Sequence, residues 1–214
     1  MSNNWKLPDD FYEKHSFDNN MTAGNLSYFR MKTLFNTDLS IKMTEELMPY
    51  MDDSRKTEME SEKRFIDSLT KADEVVNYMR KVKDTTNERY LCKKAADMGD
   101  EVAELLVDKL HRNGMSKFIE CAVLVLSRAD EKYIDRVVEE FQQYRNGYAR
   151  VQTTVLLAYR KRHDALKSMY EEYLELSRST NSEDSRKADI VLFSIYVLTG
   201  QLEAFEDEIN QMSC

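Results

Sequence analysis

The stretch Met98-Gly-Asp-Glu-Val-Ala-Glu-Leu-Leu-Val-Asp-Lys-Leu110 decides the fold class of this chain. Val102, Leu105, Leu106 and Leu110 recur at the spacing of one stripe on a 3.6-residue helix. Glu101, Glu104 and Asp108 share the opposite face. Gly99 suits the left-handed residue that closes a preceding helix, and Asp100 places a carboxylate at the start of the next. The stretch therefore predicts a helix, a sharp joint and a second, amphipathic helix.

The same pattern recurs along the chain. Upstream lie Val75, Met79 and Val82; downstream lie Ile134, Val137, Val138 and Phe141, then Leu166, Met169, Tyr170, Tyr173 and Leu174, then Leu202, Phe205 and Ile209. The first anchors Val75, Val102, Ile134, Leu166 and Leu202 are 27, 32, 32 and 36 residues apart, the drift that surface-loop insertions impose on a repeat. The polar run Arg178–Ser185 reads as an extended loop inside the longest interval. A second helix stands between successive anchors, with stripes at Ile119, Ala122, Val123 and Leu126; at Val151, Val155 and Ala158; and at Ile190, Phe193 and Val197. Gly99, Gly114, Gly147 and Gly200, four of the five glycines, all fall at predicted joints.

Composition agrees. Five glycines and two prolines in 214 residues leave few turns for a sheet, while good helix formers abound. The expected class is all-α. A net charge of −8 opposes a surface that coats nucleic acid throughout. Cys92, Cys121 and Cys214 show neither disulfide nor zinc spacing, which fits a reducing, cytoplasmic setting. The first twenty residues lack a signal-peptide core, and no apolar run is long enough for a membrane span. Neither a membrane nor a cofactor is expected.

A two-helix unit of about 30 residues cannot bury its apolar faces alone and must stack on neighbours. Met98–Leu106 and Arg128-Ala-Asp-Glu-Lys-Tyr-Ile134 resemble the units of HEAT-like, armadillo-type helical repeats. The resemblance covers about residues 72–212 and implies a right-handed αα-superhelix, a solenoid of helix pairs. The expected division is an N-terminal arm and helical capping segment over 1–70 and a repeat region over 71–214. Within the first segment, residues 1–20 read as an irregular arm bearing Trp5, Leu7, Phe11, Tyr12 and Phe17. Helices are expected near 25–36, 38–51 and 54–70, with Asp38 as an N-cap.

The two helix sets differ in charge. Acids outnumber bases in the first helices at 131–144, 163–177 and 201–212, whereas 148–162 holds four bases and no acid. In HEAT-like solenoids second helices line the concave face, so the resemblance implies an acidic back and a neutral-to-basic hollow. Arg145, Arg150, Arg160, Lys161, Arg162, Arg186 and Lys187 are the candidate partner-binding residues there.

Chemistry finds little to use. No phosphate-binding glycine loop and no HExxH is present. Asp108 and His111 share a helix face, but no second copy completes a metal set, and His111 suits a helix end. His163 beside Asp164 reads as part of a cap, and Cys121 as a small buried thiol. The leading expectation is a non-catalytic scaffold for a protein partner. The alternative is nucleic-acid binding through the basic hollow, as in HEAT-like alkylpurine DNA glycosylases; the single tryptophan, Trp5, lies in the arm and not in the hollow. A helical bundle enclosing a small molecule is the third expectation.

Overall fold

The computed structural model describes residues 5–15, 36–82, 84–113, 119–142 and 148–202. Eleven α-helices and no strand occur among them. They are α1 (Phe11–Lys14), α2 (Thr37–Leu47), α3 (Asp53–Ser68), α4 (Ala72–Tyr78), α5 (Thr85–Asp97) and α6 (Asp100–Asn113), followed by α7 (Ile119–Arg128), α8 (Glu131–Gln142), α9 (Tyr148–Tyr159), α10 (Leu166–Ser177) and α11 (Ser182–Thr199). Single 3-10 turns follow α2 at Met48–Tyr50 and precede α10 at His163–Ala165. No helix among the described residues is long and apolar enough to cross a membrane.

Short polar side chains set the helix starts. Asn36, Asp52, Asp84 and Asn181 accept backbone N–H groups at the first turns of α2, α3, α5 and α11, at 2.8–3.0 Å. Each bond satisfies a donor that the helix itself cannot. Two expectations need correction. The cap of α2 is Asn36, and Asp38 stands in the first turn, where its carboxylate meets Lys93 Nζ at 2.6 Å. The polar run after α10 is shorter than expected, because α11 already begins at Ser182. A capping Asn181 turns Ser182-Glu-Asp-Ser185 into the acidic first turn of a helix, where the helix dipole favours it.

Helix ends carry the left-handed residues the sequence suggests at Gly99 (φ 67°) and Gly200 (φ 73°). Gly114 and Gly147 lie outside the described residues. The end of α9 adopts the same left-handed turn with Lys161 (φ 54°) in the glycine position. In both α9 and α11 the left-handed residue and the one after it return their N–H groups to carbonyls of the last turn. Arg162 and Lys161 donate to Leu157 and Ala158; Gln201 and Gly200 donate to Tyr196 and Val197.

The chain forms two compact units, Thr33–Gln143 and Met1–Lys32 with Tyr144–Cys214. This partition differs from a division at residue 70. Helices α2 and α3 pack on α5 inside the first unit, while the N-terminal arm joins the C-terminal helices in the second.

In the unit Thr33–Gln143, α4 lies against α6 and α6 against α8, while α5 lies against α7. Alternate helices are thus neighbours. The expected stripes supply the core, with Val75, Val102, Leu106, Leu126 and Ile134 all fully buried. Each removes roughly 1.5–3 kcal/mol worth of apolar surface from water.

In the other unit α9 and α10 both pack on α11. The near-continuous apolar run Ile190–Leu198 explains why α11 is enclosed on almost every side, with Ile190 to Tyr196 all buried. Ser194 and Thr154 stand at its contact with α9 and share a hydrogen bond at 2.7 Å, so two buried hydroxyls satisfy each other.

The arm adds an aromatic clamp. Phe11 is 1% exposed and meets the rings of Tyr170 and Tyr173 edge-on, at 5.7 and 6.0 Å between centroids. Trp5 lies 5.3 Å from Tyr170, and Tyr12 packs on Tyr196 while its hydroxyl donates to Thr199 at 2.6 Å. His15 Nδ1 sits 3.3 Å from the Tyr173 hydroxyl.

Candidate functional site: a groove beside helix α3

Helix α3 has an unusually narrow buried stripe, with Met59 and Ile66 the only buried residues on it. Its sequence is too polar to sink deeper, and a second face is left facing outward. Ser54, Glu58, Ser61 and Phe65, together with Arg55 and Glu62, fall on that face by helical spacing. They line one wall of a groove of about 1020 Å³, closed on the other side by Tyr78 of α4 and Asp84 at the cap of α5.

The groove is acidic with an aromatic end. Among the described residues that line it, Asp52, Glu58, Glu62 and Asp84 face one cation, Arg55. Arg55 lies 3.7 Å from Asp84. Phe65 is 48% exposed, although its ring contacts that of Tyr78 at 4.8 Å. Phe65 thus leaves part of an apolar ring in water within an acidic groove.

The back of the groove is held in place. Asn87, 1% exposed, donates from Nδ2 to Glu62 Oε2 at 2.8 Å and to the Met59 carbonyl at 3.2 Å. The Tyr78 hydroxyl donates to Glu62 Oε1 at 3.0 Å. Both Glu62 oxygens are therefore engaged and the carboxylate cannot swing away. Burial, and then the hydrogen bond to Glu62, push the Tyr78 phenol up to about 12, so it remains a donor throughout the physiological range.

A smaller cavity of about 180 Å³ lies on the opposite flank of α3, where Tyr90, Glu45 and Lys63 meet. The Tyr90 hydroxyl bonds to the Glu45 carboxylate, and Lys63 Nζ sits 3.8 Å from the Tyr90 ring centre and 3.9 Å from Glu45. An aromatic ring and a carboxylate here hold a cation drawn from the chain itself.

Six of the seven basic residues expected to line a hollow fall among the described residues. Arg145 lies outside the described residues. Arg150 Nε pairs with Glu172 at 3.1 Å. Burial raises the pKa of Glu172; Arg150 opposes that shift and Glu175 adds to it. Arg162 bonds to Asp164 at 3.3 Å. Lys187 is 6% exposed and pairs with Glu183 and Asp184 at 3.1 and 3.4 Å. Burial alone would lower the Lys187 pKa, but the bonds to Glu183 and Asp184 outweigh it, and the ammonium stays charged. Lys161 and Arg186 are exposed and Arg160 is half-buried. Three of the seven are thus matched to carboxylates within the unit.

The groove was not among the sequence candidates, but one signal for it was present. Phe65 lies about a third of a turn away from the Met59–Ile66 stripe, on the polar face. An aromatic out of phase with its own helix is a surface feature. Glu101, Glu104 and Asp108 are exposed, as their position opposite the apolar stripe requires. Among the described residues no group of three or more metal-ligating side chains comes together. Compared with known proteins, the chain matches no family model, no curated protein and no solved structure.

Proposed function

We propose that this protein is a non-catalytic interaction scaffold, built as a HEAT-like solenoid of helix pairs, that holds a protein partner in the reducing cytoplasm. The observation that carries the architecture is a set of polar links between positions one repeat apart. Arg128 meets Asp97, Arg136 meets Asp108, the Asp130 N–H meets Asp100, and Lys94 Nζ meets the Asp67 carbonyl. Their separations are 31, 28, 30 and 27 residues, close to the 27 and 32 between the first three anchors. Alternate-helix packing in the same unit supports the same reading. Stacked pairs leave long open surfaces and no enclosed pocket, the geometry that suits a scaffold.

The test is affinity capture from nuclease-treated extract of the native cell, followed by cross-linking to locate the contact. A protein recovered in constant ratio to the bait is the expected result. Recovery that disappears with nuclease, or turnover of a small molecule by the isolated chain, would overturn the scaffold reading.

A further inference from the structure

The groove beside α3 is open to solvent, which suits a segment of a partner better than an enclosed ligand. Its charge selects the occupant. Among the described lining residues four carboxylates face one arginine, so an acidic segment would be repelled and a basic one drawn in. The aromatic end narrows the choice further. Phe65 and Tyr78 form a tilted pair at 4.8 Å, with Phe65 half exposed and Glu58 exposed on the same helix face.

The neighbouring cavity shows what such a combination does in this protein. There Lys63 lies over Tyr90 with Glu45 beside it. Among the described residues no cation of the chain lies over Phe65 or Tyr78. A planar guanidinium stacks on an aromatic face and keeps its edge donors for carboxylates, which favours arginine over lysine.

We propose that the α3 groove binds an extended, arginine-bearing segment of a protein partner, with a guanidinium over the Phe65–Tyr78 pair and a further basic group of the segment drawn to Glu58, two turns away along α3. This rests on the scaffold reading and adds the chemistry of the partner. Glu62 serves as a fixed negative charge behind the pair because its oxygens already accept from Tyr78 and Asn87.

The test titrates the full chain with a dye-labelled peptide alternating arginine and glycine, and with the matching glutamate peptide. The arginine peptide binds and the glutamate peptide does not. Phe65→Ala and Glu58→Lys each weaken binding roughly tenfold, the scale of a cation–aromatic contact. Phe65→Tyr, which keeps the ring, stays near the starting affinity, and Tyr50→Ala, outside the groove, changes nothing. Helical content and unfolding midpoint are measured for each variant; should Phe65→Ala unfold, Glu58→Lys and Phe65→Tyr decide. Equal binding of the two peptides, no binding, or full binding by Glu58→Lys and Phe65→Ala would overturn the assignment. If those variants still capture the partner found by the parent chain, the groove falls and the scaffold stands. If the parent chain captures no protein, the scaffold reading itself fails.

Discussion

The two compact units differ in how much apolar side chain they leave in water. In the unit that joins the arm to the C-terminal helices, Phe11 is buried among tyrosines, Arg150 is matched to Glu172, and Lys187 is enclosed with two acids. In the unit Thr33–Gln143, Met43, Leu47, Tyr50 and Phe65 stay exposed, Tyr50 at 85%. Of the large apolar side chains left exposed among the described residues, four thus lie in Thr33–Gln143 and one, Tyr159, in the other unit. Counting charge along helices points to the unit of the arm and the C-terminal helices as a binding surface; the exposed Phe65 and the carboxylates lining its groove point to Thr33–Gln143.

The sharpest way to break this contrast is to remove the clamp. Phe11→Ala deletes a fully buried ring and should cost about 3–4 kcal/mol. Trp5, the single tryptophan, lies against Tyr170 and reports this unit selectively. Its fluorescence should shift to that of a solvated indole at much lower urea than in the parent chain. An unchanged midpoint would mean that the arm is not part of the unit's core.

Arg150→Ala should come next, at about 2 kcal/mol, because it leaves Glu172 half enclosed without its cation. The same denaturation curve measures it. The variant separates structure from recognition: a residue that only bound a partner would leave stability unchanged.

Acidity provides a third probe. Burial, with help from Lys14 and against Asp10, holds the pKa of His15 below its ordinary value. The folded arm therefore keeps a neutral imidazole, while the unfolded chain takes up a proton near pH 6.5. The clamp's stability should be complete above about pH 6.5 and decline as the pH falls below it. His15→Asn should flatten that decline, as seen in the Trp5 midpoint at neutral and mildly acidic pH. A parent chain whose midpoint is constant over this range would contradict the assignment.

The smallest expected effect is a gain. Lys161 occupies in α9 the left-handed position that Gly200 holds in α11. Lys161→Gly removes about 1 kcal/mol of backbone strain and returns roughly half of it as unfolded-state entropy, for a net gain of about 0.5 kcal/mol. A raised midpoint in thermal unfolding checks it, and a loss would show that the lysine side chain makes a contact worth more than the strain.

How much of this was legible in the sequence depended on range. Stripes such as Val102–Leu106 and Val151–Ala158 are local, and helix periodicity displays them directly. Gly99 and Gly200 were legible because left-handed φ has few solutions. The cap at Asn36 was misplaced by two residues because Asn and Asp serve equally well and only backbone geometry chooses between them. The partners of Arg150 and Lys187 differ in kind. Glu183 and Asp184 lie within one turn of Lys187 and were open to a helix-spacing argument. Glu172 reaches Arg150 from another helix, and no local pattern announces that. The groove is the least legible feature, since its walls come from α3, α4 and the cap of α5 at once.

The most direct test of the account is one side-by-side titration of the intact chain at near-physiological salt, with the arginine–glycine peptide in one arm and duplex DNA in the other. The account predicts that the peptide binds through Phe65 and Glu58 while the DNA does not bind. DNA binding that falls when Arg160, Lys161 and Arg186 become alanine, with no peptide binding, would contradict it.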